Sequence, residues 1–308
     1  MTLSNFPYSQ RLRAYLRMAR PFFLLEGVSL YLLGVGIAYA AGASCNLRNF
    51  ILGQFLVTST QLMTHFCNEY FDREVDRMSP KTRTWFSGGS GVLPTGILPP
   101  RVALWSGIGC AGIAGIFLIT LLFLSPWLSL LGLVGALAAW FYSAPPLRLV
   151  GKGWGELTSS LIVALYVPFA GAVLQIGITA IPSAFWYICL PLVLIHTATM
   201  IATEFPDRKG DALYGKRTLP VRMGLDNAAW LHNGLMSLTF VLYAIFFLKG
   251  WLDRSGLLVF IVLPLAIWQM VRVVGQARHP KAGFFWTMNG TIGLMGLTGV
   301  LWLLAVWF

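Results

Sequence analysis

Charge is scarce in this sequence. Lys, Arg, Asp and Glu make up 11% of its 308 residues, against 57% hydrophobic residues, and the mean hydropathy is +0.72. Such a chain cannot cover a water-facing surface, which excludes a soluble domain and indicates a polytopic membrane protein. Acidic residues are the rarer sign, 11 against 22 Lys and Arg. Cysteine is rare and unpatterned: Cys45, Cys67, Cys110 and Cys189 lie in or beside apolar runs without C-x-x-C spacing. They read as small buried hydrophobes, neither zinc ligands nor disulfides. No P-loop, serine-nucleophile motif, haem ligand pair or redox cysteine motif is present. No small-residue cleavage site follows the N-terminal arginines, so the first apolar run reads as a retained helix and not as a signal peptide.

What is there is apolar run after apolar run. They begin near residues 22, 49, 101, 127, 155, 184, 228, 256 and 284, enough for about nine spans of roughly 20 residues each. The turns between them alternate in basic content. Arg11, Arg13, Arg17 and Arg20, the bases of the second and fourth turns, and those around residues 208–222 and 272–281 fall on one side. That side holds 19 of the 22, leaving Arg48, Lys249 and Arg254 opposite. The bias predicts a cytoplasmic N-terminus and, with nine spans, an outside C-terminus. The net charge of +11 is then mostly topology, with anionic lipid or an anionic substrate as further uses and no need of nucleic acid.

The few acids are not scattered. Asn68-x-x-x-Asp72-x-x-x-Asp76 closes the second apolar run. On a helix a step of four residues advances about 400°, so the three share one face. Stacked carboxylates repel unless a cation sits among them, and hard oxygen ligands suit Mg²⁺. Glu204, Asp207 and Asp211 close the sixth run with the same four-residue step between the aspartates. Two ladders at equivalent helix ends predict a facing pair; solvated helix ends neutralised by Arg73, Arg77, Arg208 and Lys209 are the alternative. The placement at the ends of spans two and six also hints at a repeated four-helix unit.

Other polar residues gather at the same ends. Residues 79–91 combine Lys81, Arg83, hydroxyls and Gly88, Gly89 and Gly91, a composition that lets backbone N–H groups and bases approach an anion. Tyr142 and Arg148 bracket a proline turn; Tyr214, Lys216, Arg217 and Arg222 surround Thr218-Leu219-Pro220. Glu26 lies one turn inside the first span, as a functional carboxylate or the partner of Arg20. His65, three residues before Asn68, is a substrate contact or a helix-packing hydrogen bonder. Asn289 reads as an interhelical donor. Acid ladders and bases are what a diphosphate needs: metal ions bridge the carboxylates to its oxygens, and departure from an allylic carbon is the natural reaction. Apolar helices can house the isoprenoid tail. A cation-coupled transporter is the alternative, but acids that stay at one end of the helices favour a one-sided pocket.

With these two acidic motifs in this order, the chain resembles the membrane aromatic prenyltransferases of the UbiA superfamily. The likeness extends to Arg20-Pro21, the Tyr142-Ser143 turn with Pro145-Pro146, and Lys216-Arg217-Thr218-Leu219-Pro220. It implies a single all-α transmembrane domain over residues 1–308 with a central cavity open to the cytoplasm. It also implies Mg²⁺-dependent transfer of a polyprenyl group from its diphosphate to an aromatic or related acceptor. Asn68, Asp72, Asp76, Asp207 and Asp211 are then the metal and diphosphate residues. Lys81, Arg83, Lys216 and Arg217 assist, with Tyr142, Arg148 and Glu204 at the substrate. His65, Glu26 or Glu156 would take the acceptor proton. Gly88-Gly89-Ser90-Gly91 and Gly153-Trp154-Gly155-Glu156 look most like the 1,4-dihydroxy-2-naphthoate enzymes of menaquinone synthesis, where the prenyl group replaces a carboxylate lost as CO₂. The proline turn is also similar to homogentisate, chlorophyll and archaeal ether-lipid enzymes. Thr203 stands where many relatives have Asn or Asp, and Pro146 where the 4-hydroxybenzoate enzymes have lysine.

Overall fold

The computed structural model describes residues 6–77, 84, 86–279 and 283–308. Among these residues there is helix and no strand. The chain opens with α1 (Tyr8–Ala19), α2 (Pro21–Ala40) and α3 (Leu47–Phe71), then short α4 (Arg73–Arg77) and α5 (Val92–Thr95). Next come α6 (Pro100–Leu124), α7 (Pro126–Ser143), α8 (Gly155–Leu161), α9 (Val167–Ile176), α10 (Ser183–Thr203) and short α11 (Arg208–Leu213). The chain finishes with α12 (Leu219–Leu248), α13 (Leu263–Arg278) and α14 (Phe285–Trp307). Prolines begin α2, α6 and α7, where a missing N–H costs nothing and the fixed φ suits the first turn. Between α8 and α9, Ile162–Tyr166 form one π-helical turn just ahead of Pro168. The widened turn accommodates a residue that cannot donate to the preceding turn.

Eight helical segments are long and apolar enough to cross a membrane among the described residues, and the chain is a multi-pass membrane protein. The ninth expected span, α3, has the length without the hydropathy. Thr60, Gln61, Thr64, His65 and Asn68 on α3 face an interior cavity instead of lipid. The helices facing outward are the opposite case: Phe123 on α6 and Trp127 on α7 are among the most exposed side chains of the molecule. In a bilayer an apolar exterior carries no penalty, so hydrophobicity here reports lipid contact and polarity reports the interior.

α10 is the most buried span, packed against α12 and α8, while α3 lies on α6 and α2 lies on α9. The α2–α9 crossing is unusually close. A Cβ at Gly34 would run into the Pro168 carbonyl, and one at Gly171 into the Tyr31 carbonyl. Small residues on both helices thus allow backbone-to-backbone packing. Behind this crossing lies a cavity of about 410 Å³, walled by α2, α3, α7, α9, α10 and α14.

Two sequence expectations are corrected. Cys45 is exposed in the turn before α3 and not a buried hydrophobe. Asn289 bonds back to the Phe285 carbonyl of its own exposed helix face and does not reach a neighbouring helix.

The close crossing sets a stability test. Gly171→Leu should cost about 1–3 kcal/mol or more through overpacking, read as a lower melting temperature in detergent. A melting temperature equal to that of the unaltered protein would contradict this packing.

Candidate active site

The first acidic stretch is not one continuous helix. α3 ends at Phe71, Asp72 has φ −97° and ψ 2°, and α4 restarts at Arg73. The four-residue ladder nevertheless survives, because Asp72 N donates to Asn68 O at 2.9 Å and Asp76 N to Asp72 O at 3.0 Å. The second stretch repeats the device: α10 ends at Thr203, and Asp211 N donates to Asp207 O at 2.8 Å as α11 begins. In both stretches the span stops just before its acids, since carboxylates gain nothing by continuing into lipid.

Lys216 joins the two stretches. Its Nζ lies 3.1 Å from Asp72 Oδ2 and 3.4 Å from Asp211 Oδ1. Both aspartates are buried, so each needs a partner more than a surface acid does. Arg148 Nη2 stands 3.7 Å from Asp72 Oδ1. Asn68 Nδ2 donates to Asp72 Oδ2 at 2.9 Å and to Ser143 Oγ at 3.2 Å. Arg73 and Arg77 instead pair with Glu74 at the surface, and Arg208 donates to the Pro220 carbonyl. The neutralised-helix-end alternative therefore does not describe these acids.

The glycine loop is folded down onto the cluster. Gly88 N donates to Asp207 Oδ2 at 2.7 Å. Gly88 and Gly89 have φ of +77° and +66°, and a Cβ at Gly89 would collide with the Asp76 carboxylate. Glu69, which sequence reasoning missed, anchors the same loop. Its carboxylate is buried and accepts from Ser90 N at 2.7 Å, Ser90 Oγ at 2.6 Å and Arg20 Nη2 at 2.7 Å. Arg20 also donates to Asn68 Oδ1 at 3.2 Å. The loop amides thus serve protein carboxylates. Arg20 and Arg148 are the two non-glycine residues with positive φ among the described residues, and both guanidinium groups turn to this cluster.

Burial, and then the neighbouring Asp72 and Glu69, push the Asp76 carboxyl well above the usual carboxylate range. Burial and then Asp211 push Asp207 up to about 7. Asp211 is also raised by burial, with Lys216 opposing. Glu204 is raised by burial and by Glu156 beside it. Burial pulls Lys216 down, but Asp72 and Asp211 outweigh it and hold the ammonium well above its usual range. Five buried carboxylate oxygens, Asp72 Oδ1, Glu156 Oε2, Glu204 Oε2, Asp207 Oδ1 and Asp211 Oδ1, have no hydrogen-bond partner among the described residues. Unengaged hard oxygens held against their own repulsion are a donor set for a divalent cation. Among the described residues no three such side chains close on one point. Magnesium usually takes only one or two carboxylates and completes its shell with water and phosphate oxygens, so the arrangement fits it.

The cavity begins at this cluster. Asn68, Arg20, Phe86, Tyr142 and Thr203 line its polar end, and Leu30, Leu56, Leu121, Val173 and Met295 its apolar wall. His65 also lines it, with Nδ1 2.8 Å from the Ala19 carbonyl. Glu26 lines it as well but does not pair with Arg20; it faces His196 across 3.8 Å. Glu156 is fully buried, accepts from Leu219 N and does not line the cavity. Arg217 is exposed, and its backbone N donates to Gly151 O, so its side chain is not part of the cluster. Lys81 and Arg83 lie outside the described residues.

A family model described as "UbiA prenyltransferase family" matches residues 29–291. Chloroplastic chlorophyll synthase of Arabidopsis thaliana is 27% identical over 67% of this chain, which spans about half (52%) of that protein's length. The 1,4-dihydroxy-2-naphthoate octaprenyltransferase of Bacillus subtilis is 25% identical over 74% of this chain and 70% of its own. A UbiA homologue from Archaeoglobus fulgidus, solved bound to GPP and Mg²⁺, shares the fold with a TM-score of 0.65 at 21% identity, covering 96% of this chain and 98% of that one.

Two glutamates separate a structural anchor from a surface pair. Glu69→Ala leaves the Arg20 guanidinium uncompensated and should cost about 3–5 kcal/mol. Glu74→Ala removes only an exposed pair and should cost less than about 1 kcal/mol. Thermal unfolding of both variants in detergent checks this, and equal losses would refute the anchoring role of Glu69.

Proposed function

The chain belongs to the UbiA prenyltransferase family, and we propose that it transfers a polyprenyl group from its diphosphate to a hydroxylated aromatic acceptor, 1,4-dihydroxy-2-naphthoate, with loss of CO₂. The observation that carries this reading is the junction of two unlike environments at Asn68. That residue bonds Asp72 on one side and lines an apolar cavity on the other. A diphosphate with an isoprenoid tail has the same division between its two ends.

In this reading Asp72, Asp76, Asp207 and Asp211, with Asn68, hold Mg²⁺. When bound there, the metal supplies charge neutralisation for the departing diphosphate. Lys216 holds Asp72 and Asp211 in place and Arg148 braces Asp72, while Arg20 holds Asn68 and Glu69 holds Arg20. In this reading the tail lies along Leu56, Leu121 and Val173, and this apolar wall keeps water from the allylic cation. Tyr142 and Thr203 line the polar end of the cavity, where this reading puts the reacting carbon. The basic side, with 19 of the 22 Lys and Arg, is cytoplasmic, so the site opens there. A tetrapyrrole acceptor is the second reading, favoured by the similarity to chlorophyll synthase.

The purified protein in detergent, given Mg²⁺, a polyprenyl diphosphate and 1,4-dihydroxy-2-naphthoate, should form a prenylated, decarboxylated product by mass spectrometry. EDTA should stop its formation. Asp72→Ala and Asp207→Ala should each lower the rate roughly 10²-fold or more; wild-type rates in both would refute the site. Product with chlorophyllide and none with the naphthoate would move the acceptor assignment to the second reading.

Proton linkage gives a separate test. Asp207, raised to about 7, holds its proton for part of the time near neutrality and must release it to bind a cation, and Asp76 and Asp211 are raised in the same direction. Apparent Mg²⁺ affinity, measured by calorimetry without donor, should therefore strengthen as pH rises from about 6 to about 8. An affinity that is flat or weakens over that range contradicts the assignment.

A further inference from the structure

Apart from the acidic cluster, the cavity holds a second set of polar groups. Glu26 on α2 and His196 on α10 face one another, Oε1 to Nε2 at 3.8 Å. His196 Nδ1 lies 3.0 Å from Ser160 Oγ, whose hydroxyl donates to the Glu156 carbonyl at 2.6 Å. With its one proton so committed, Ser160 accepts from His196. Nδ1 therefore carries hydrogen, and the neutral ring turns the lone pair of Nε2 towards Glu26. Glu26 has no hydrogen bond among the described residues, and its side chain keeps 23% of its surface, against 5% for His196. One turn along α10, Thr199 lines the same cavity with a buried hydroxyl that has no partner.

An unbonded carboxylate and an unbonded hydroxyl within an apolar wall are costly unless a ligand meets them. Glu26 follows Arg20 by six residues, roughly 9 Å along α2, which leaves room for a ring between this pair and the diphosphate end. Of the three bases that the sequence leaves open, Glu156 is off the cavity, and His65 has no carboxylate facing it. Glu26 alone combines access with a partner whose tautomer is fixed.

We propose that Glu26 receives the hydroxyl proton of the ring acceptor, that His196 positions Glu26, and that Thr199 hydrogen-bonds the same acceptor. The proposal rests on prenyl transfer to a hydroxylated ring as read above. In the step, the allylic C–O bond breaks and its electron pair leaves with the diphosphate. The ring carbon supplies the pair for the new C–C bond while the acceptor O–H gives its proton to Glu26, leaving a dienone. The ring rearomatises by losing CO₂ from that carbon, the freed electron pair returns to the oxygen, and Glu26 gives its proton back.

The test compares Glu26→Gln, Glu26→Asp, His196→Gln and Thr199→Val with wild type in detergent, using acceptors of graded hydroxyl acidity beginning with 1,4-dihydroxy-2-naphthoate. Binding of a non-reacting prenyl thiodiphosphate with Mg²⁺ reports the donor half and an intact fold. Glu26→Gln should keep analogue affinity within about twofold yet lose roughly 10²-fold in kcat. Its loss should be greatest for the least acidic hydroxyl, which needs a base most, and Glu26→Asp should recover part of it. Thr199→Val should chiefly raise the acceptor KM. His196→Gln should share the dependence on hydroxyl acidity. A uniform loss across the acceptor series, or wild-type kcat in Glu26→Gln, overturns the base role while leaving prenyl transfer standing. Wild type that binds the analogue but prenylates no hydroxylated ring overturns both readings. Loss of analogue binding in both Glu26 variants assigns Glu26 to the donor half and also overturns the proposal.

Discussion

A lysine ammonium held between two buried aspartates is the interaction on which the polar end of this bundle depends. Asp72 and Asp211 come from stretches far apart in sequence, and Lys216 touches both. Without that charge, the carboxylates of Asp72, just after α3, and of Asp211, on α11, would repel one another. Even with it, the cluster is under-neutralised, since Asp76, Asp207 and Glu204 are all pushed towards their protonated forms by burial and by other acids. Sites that bind cations are built with this deficit. The lysine sets the spacing, and the remaining negative charge is available for a ligand.

Glu69 does the equivalent work one layer further out. It fixes Arg20 and the loop through three charge-assisted bonds, and through Arg20 it fixes Asn68. The loop in turn supplies Gly88 N–H to Asp207, so the first and second acidic stretches are joined twice, by a lysine side chain and by a loop amide. Such reciprocal bonding makes the cluster one unit: a change at Glu69 is felt at Asp207 without contact between them.

Much of this was legible from the sequence because membrane chains separate their signals. Most span starts and the acid spacing follow from hydropathy and period, whereas α3, read as one more apolar run, turns its polar residues to the cavity. The four-residue step predicts the Asn68–Asp72–Asp76 backbone ladder even where the helix breaks, since the i to i−4 bond outlasts the helical dihedrals by one turn. Pairing was not legible. Glu69 looks like one more acid beside the motif, and only the fold shows its side chain under the loop. Arg217 and Lys216 are neighbours in sequence with different fates, one exposed and one half-buried between Asp72 and Asp211, because a turn has no period from which facing can be read. Likewise Glu26 suggests Arg20 as a partner by proximity along the chain. Arg20 is taken by Glu69, and Glu26 meets a histidine from α10.

Separating the charged cluster from the Glu26–His196 pair answers a chemical conflict. In the proposed arrangement a base beside Asp72, Asp207 and Asp211 would lie in the field of the Mg²⁺ they hold and would accept a proton poorly. A base further down the cavity is free of that field, but it must not lie on the path of the tail, where an unscreened carboxylate would intercept an allylic cation. In the proposed arrangement both demands are met by depth along α2. Arg20 stands at the diphosphate end, and Glu26 faces α10, where His196 can share the proton it receives. The polar residues of α3 continue the same wall, so the acceptor is met by donors and acceptors on one side and the isoprenoid by apolar surface on the other. In the proposed arrangement the donor and acceptor meet where the cavity changes character, next to Asn68.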